Sequence, residues 1–192
     1  MKKLILSALT ACSWISAQAA VIEYSVAFSG PNEFPVNASP GIGFGLADYD
    51  DVAHTLALQV NFSGLLGTTT ASHIHGPTTA PFFQNAGVAT TTPSLAGFPL
   101  GVTSGSYSGT LDLTSASSYN PAFVTANGGT PAGAESALAA AMAGGEAYWN
   151  IHSSSFPGGE IRGFLVPVPE PSTLALFGLG AGAIAWRLRR KV

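Results

Sequence analysis

Between residues 20 and 166 the hydrophobic positions recur every second residue, in short runs separated by turn-forming residues. Ile22, Tyr24, Val26 and Phe28 share one face of a strand, and Ile42, Phe44 and Leu46 share one face of the next. His54, Leu56, Leu58, Val60 and Phe62 alternate with Thr55, Ala57, Gln59 and Asn61. Tyr107, Leu111 and Leu113 alternate with Ser108, Thr110 and Asp112. Ala147, Trp149 and Ile151 alternate with Glu146, Tyr148, Asn150 and His152, and a last strand runs over 160–166. A period of two is the pattern of strands that turn one face to a core. Asp48-Tyr49-Asp50-Asp51 reads as a hairpin tip, and Pro157-Gly158-Gly159 as the turn between the last two strands. One helix is expected near 134–143, ended by Gly144-Gly145. The stretch 78–99 reads as loop with a weak strand around Val88. The fold class is therefore all-β: an antiparallel β-sandwich or flattened barrel with one short helix.

Composition agrees. Of 192 residues only 9% are charged, while Gly (23) and Pro (13) are plentiful, a turn-rich balance. The placement of charge says more. Six of the seven basic residues lie in the end segments and leave Arg162 alone in the middle, where nine of the ten acids lie. So acidic a domain excludes nucleic acid as a partner, because that binding needs clustered Lys and Arg. The one cysteine, Cys12, lies in the N-terminal segment. A mature chain cut after it has no disulfide and no thiol chemistry.

The two ends are targeting segments. Residues 1–19 read as a signal peptide: Lys2 and Lys3, an apolar stretch from Leu4 to Ile15, then Ala17-Gln18-Ala19 as a small-x-small cleavage site. Leu9-Thr10-Ala11-Cys12 also has the form of a lipobox, which leaves a lipidated Cys12 open. At the other end stand Val168-Pro169-Glu170-Pro171, an apolar run over 174–186, and a basic end over 187–191. The basic cluster stays cytoplasmic, so the domain before it lies outside. The run is short for a permanent transmembrane span. The segment 167–192 resembles the PEP-CTERM sorting tail. The resemblance implies an exosortase as processing partner, cutting at or near Pro-Glu-Pro, with the membrane holding the precursor meanwhile. The expected path is export, transient anchoring in the inner membrane, then the cell surface or extracellular matrix.

Three segments between the ends carry a second resemblance. They are Pro31-Asn32-Glu33-Phe34-Pro35; His73-Ile74-His75-Gly76-Pro77; and Asn150-Ile151-His152 followed by Pro157-Gly158-Gly159-Glu160-Ile161-Arg162-Gly163. In this order they look like the CHRD domain family, with a Ser/Asn/Gly-rich insert at 115–133 as a departure. The resemblance implies an all-β extracellular module over 20–166 and no established catalytic activity.

Candidate chemistry rests on few residues. His73 and His75 are two apart, so on a strand both rings point one way, and His152 is the natural third ligand for Cu or Zn. Histidines that merely bond backbone carbonyls are the competing reading. Arg162, the domain's only cation, is expected to form a structural ion pair with Glu33 or Glu160. Asp48, Asp50 and Asp51 read as a solvated tip with weak calcium binding as the alternative. An enzyme acting on polysaccharide would need two facing carboxylates, for which Glu33, Asp112, Glu146 and Glu160 are available. No nucleophile motif of the G-x-S-x-G type occurs. The expectation is a non-enzymatic surface or matrix module, whose further partner is exopolysaccharide or another surface protein. A metal-binding extracellular protein is the first alternative.

Overall fold

The computed structural model describes residues 21–169. The signal segment, Glu170, Pro171, the apolar run over 174–186 and the basic end lie outside the described residues. Eight strands make one antiparallel sheet: β1 (Ile22–Ser29), β2 (Ile42–Asp50), β3 (Thr55–Ser63), β4 (Thr69–His75), β5 (Gly105–Asp112), β6 (Tyr148–Ser153), β7 (Ile161–Phe164) and β8 (Val166–Pro167). Their spatial order is β4-β6-β7-β1-β2-β3-β5, with β8 beside β1. The sheet curls into a half-barrel around a core centred on Trp149, whose ring meets the edges of Phe28 and Tyr107. The fold is mostly β, as expected, and is one curled sheet rather than two stacked ones.

The β1, β3 and β5 alternation fills this core: Tyr24, Val26, Phe28, Leu56, Leu58, Val60, Tyr107 and Leu111 are all buried. β2 departs from expectation. Its inward set is Gly45, Ala47 and Tyr49, while Ile42 and Phe44 face solvent. Crowding explains this: a Cβ on Gly45 would stand 2.8 Å from the Gln59 carbonyl and 3.3 Å from both Phe28 and Trp149, so no larger residue fits there. Asp48, Tyr49 and Asp50 also belong to β2, in register with β3, and the turn lies at 51–54.

Two helices lie between β5 and β6: α1 (Pro121–Ala126), inside the Ser/Asn/Gly-rich insert, and α2 (Pro131–Ala143). Each starts in the same way, with Asn120 or Thr130 accepting a backbone N–H just ahead of a proline at the first helical position. α2 ends at Gly144, and Gly145 takes the left-handed conformation at φ 69°. Leu138 and Met142 seat α2 on the core.

β6 is buried along its whole length. Trp149 and Ile151 face the core, while Tyr148, Asn150 and His152 face outwards. Loop segments around residues 32–36, 84–94 and 157–159 cover that outer side. They enclose a second, polar interior layer, and the candidate site lies in it.

Candidate metal centre

β4 and β6 pair so that His73 faces Asn150, His75 faces Tyr148 and Ala71 faces His152. The three imidazoles meet on one side of the sheet, with ring centroids 4.7 Å apart for His73–His75 and His73–His152 and 5.9 Å apart for His75–His152. All three residues are buried.

Each ring is held by the same device. The Nδ1 of His73 lies 3.1 Å from the Pro93 carbonyl, that of His75 lies 2.9 Å from the Ala86 carbonyl, and that of His152 lies 2.9 Å from the Pro157 carbonyl. A carbonyl only accepts, so Nδ1 carries the proton and Nε2 is left as a lone pair. All three Nε2 atoms are buried and have no hydrogen-bond partner. Burial of unpaired polar atoms is unfavourable, and here three such atoms converge.

The rings are neutral. Burial, helped by the nearby His152, pushes His73 down to about 4, against the Pro93 bond. Burial pushes His75 down to about 3, and His152 is lowered for the same reason. Neutral imidazole is the ligating form. One nitrogen from each histidine lies within 4.8 Å of the other two, so the cluster could hold a metal ion. Bonds of about 2.0–2.1 Å to one tetrahedral ion would set the nitrogens roughly 3.4 Å apart, closer than the 4.8 Å within which they lie in this structure. The carbonyl partners are the orienting outer shell that metal-bound histidines use.

Tyr148 completes the setting of His75. The two rings stack at 4.7 Å and 5°, and the Tyr148 hydroxyl meets the amide and carbonyl of Ala86, the residue that holds His75. Arg162 lies on the other side of Tyr148, its guanidinium carbon 4.4 Å from the ring centroid. Neither Tyr148 nor the three carbonyls is marked by motif spacing. Tyr148 was open to detection as the residue four before His152 on the same strand face; the loop carbonyls were not.

Arg162 and Glu33 form an ion pair at 3.9 Å, both buried. Arg162 also donates to the carbonyls of Asn32 and Gln84 and to Asn85 Oδ1. Glu160 lies apart from this group. It accepts from the Ser39 and Ser153 hydroxyls and from the Leu66 and Gly67 amides. Burial pushes its carboxyl up, but these donors outweigh burial and hold it below the usual range. Asp112 closes its own turn through Thr114. Glu33, Glu160 and Asp112 thus belong to separate networks. Asp50 likewise accepts from the amides of Val52 and Ala53.

Fold and site together define a β domain with a buried three-histidine cluster set between strands and covering loops. The CHRD domain model matches residues 24–165; the chain belongs to the CHRD domain family. The PEP-CTERM protein-sorting motif matches residues 167–191, which implies export, a transient membrane anchor and sorting by exosortase. No curated protein and no solved structure matches the chain. Within the motif, Val168 and Pro169 are described, and the Val168 amide donates to the Glu23 carbonyl at 2.8 Å. Among the described residues no helix is long and apolar enough to cross a membrane.

Proposed function

We propose that this protein is an exported, non-enzymatic module of the cell surface or extracellular matrix whose domain holds one Cu or Zn ion on His73, His75 and His152. The observation that carries the reading is the set of three buried Nε2 lone pairs with no partner, each on a ring whose Nδ1 is fixed by a carbonyl. Nitrogen-only, neutral imidazole ligation suits either ion. The enclosure of all three nitrogens supports a structural or storage role for the ion. After exosortase releases the tail, exopolysaccharide or another surface protein is the partner that such a module meets.

Three protein ligands leave a fourth position free, as in catalytic zinc sites. This favours a second reading in which the ion does chemistry. The test is metal content. The purified untagged chain, equilibrated with Cu or Zn and dialysed, should retain about one ion per chain, and His75→Ala should retain none. Equal content in the parent and in His75→Ala, or no retained metal in either, would sink the proposal. Turnover that needs the loaded ion would favour the second reading.

A further inference from the structure

The outer surface beside β1 is apolar where it meets solvent. Phe34, Val36, Phe82, Phe83 and Val166 are exposed by 44–70% and line a single groove. Ala27 in its floor pairs with Phe44 of β2, itself exposed, so the apolar surface continues across the next strand. Contiguous patches of this kind mark contact sites.

The rings are fixed in place. Phe82 has a left-handed backbone at φ 58°, which a bulky residue rarely adopts, and its amide donates to the Gly145 carbonyl at 2.8 Å. Arg162 holds Gln84 and Asn85 from below, and the Asn85 side chain donates to the Phe34 carbonyl. A strained loop pinned so that it keeps phenylalanines in water points to a use for them.

Charge and chain path say what covers the groove. Its only charged lining residues, Glu33 and Arg162, are buried at 6% and 2% exposure. The surface is therefore neutral on an acidic domain. Glu23 and Asp48, paired across β1 and β2, lie towards the end where the chain leaves. This arrangement suits uncharged apolar matter and disfavours anionic lipid. β8 runs past the groove, and from Pro169 only five residues, at most roughly 18 Å of chain, lead to the apolar run that begins at Leu174 inside the sorting tail. While that tail is uncut, so short a tether keeps the bilayer at high effective concentration beside the groove.

We infer that in the uncut precursor this groove lies on the bilayer, with Phe34, Phe82 and Phe83 in the interface of neutral phospholipids, and that cutting the tail frees it. The test uses the full chain with Cys12→Ser in phosphatidylcholine vesicles, with an environment-sensitive nitrobenzoxadiazole dye on one introduced cysteine. A dye at Phe83→Cys, and independently at Val36→Cys, should emit at shorter wavelength and be quenched several-fold by nitroxide lipids. A dye at Leu100→Cys, exposed at the end of the sheet away from the chain exit, beside the Gly101 amide that bonds Thr69, should show neither effect. Two groove positions guard against one substitution disturbing the fold. Groove dyes as water-exposed as the one at position 100 would overturn the inference. Equal shielding in detergent with a dimer in sedimentation would also overturn it and assign the face to a second copy of this chain. Shielding that requires added exosortase would assign it to that enzyme instead.

Discussion

At the scale of single residues, Glu33 is the group under most tension. Its Oε1 and the Oδ1 of Asn150 are buried acceptors without a donor. Gly159, at φ 130°, passes so close that a Cβ there would overlap the Asn150 amide and stand 2.8 Å from that Oε1. Burial pushes the Glu33 carboxyl up to about 7, against the Arg162 charge, the Asn150 amide and the Phe34 backbone. Protonated, Glu33 carries an O–H and no buried charge, the form that burial favours. The sign of the pH effect follows. The folded form holds the proton more tightly than the unfolded chain, so stability present below pH 4.5 is lost as pH rises through about 7, by on the order of 3 kcal/mol. Glu33→Gln should flatten this loss. Melting temperatures of parent and variant between pH 4.5 and 7.5 check it, and parallel profiles would refute it.

At the scale of elements, α2 is a lid on the curled sheet. Leu138 is fully buried beneath it, and Glu135 takes the Tyr49 hydroxyl at 3.1 Å and the His54 ring at 2.9 Å. Leu138→Ala should destabilise by about 2–5 kcal/mol, read as a shift in denaturant midpoint at unchanged slope. Most elements were legible in the sequence because one face of each strand is apolar and the other polar. β2 was misread because both of its faces carry apolar residues, and the alternation cannot say which set lies under Trp149. α1 was missed within polar, glycine-rich chain, although Asn120-Pro121 and Thr130-Pro131 both carry a helix-start signal. The histidine cluster was legible as spacing on β4 plus a third residue on another strand. Its carbonyl partners were not, because Pro93, Ala86 and Pro157 reach the rings along loop paths that no periodicity records.

At the scale of the whole molecule, metal and fold are one equilibrium. An ion at 100 times its dissociation constant should stabilise the native state by about 2.7 kcal/mol, seen as a higher melting temperature that a chelator reverses. Without metal, acid should weaken the domain. The unfolded histidines take protons near their ordinary 6.5, whereas folded His73 and His75 resist until about 4 and about 3. This contribution, present above pH 6.5, is lost as pH falls towards those values; it runs opposite to that of Glu33, so metal-free Glu33→Gln chain, in which that carboxyl no longer titrates, should melt earlier at pH 5 than at pH 7.5. The strand that bears His73 and His75 is also the last in the sheet, and its outer side is not bare. Ala89 donates to the Ile74 carbonyl, Leu95 to that of Ser72 and Gly101 to that of Thr69. The same covering chain supplies the Ala86 and Pro93 carbonyls to the histidines. Shortening it would do more than loosen two rings: it would uncover a row of free backbone groups, a template on which crowded copies could add strand to strand and grow into fibres.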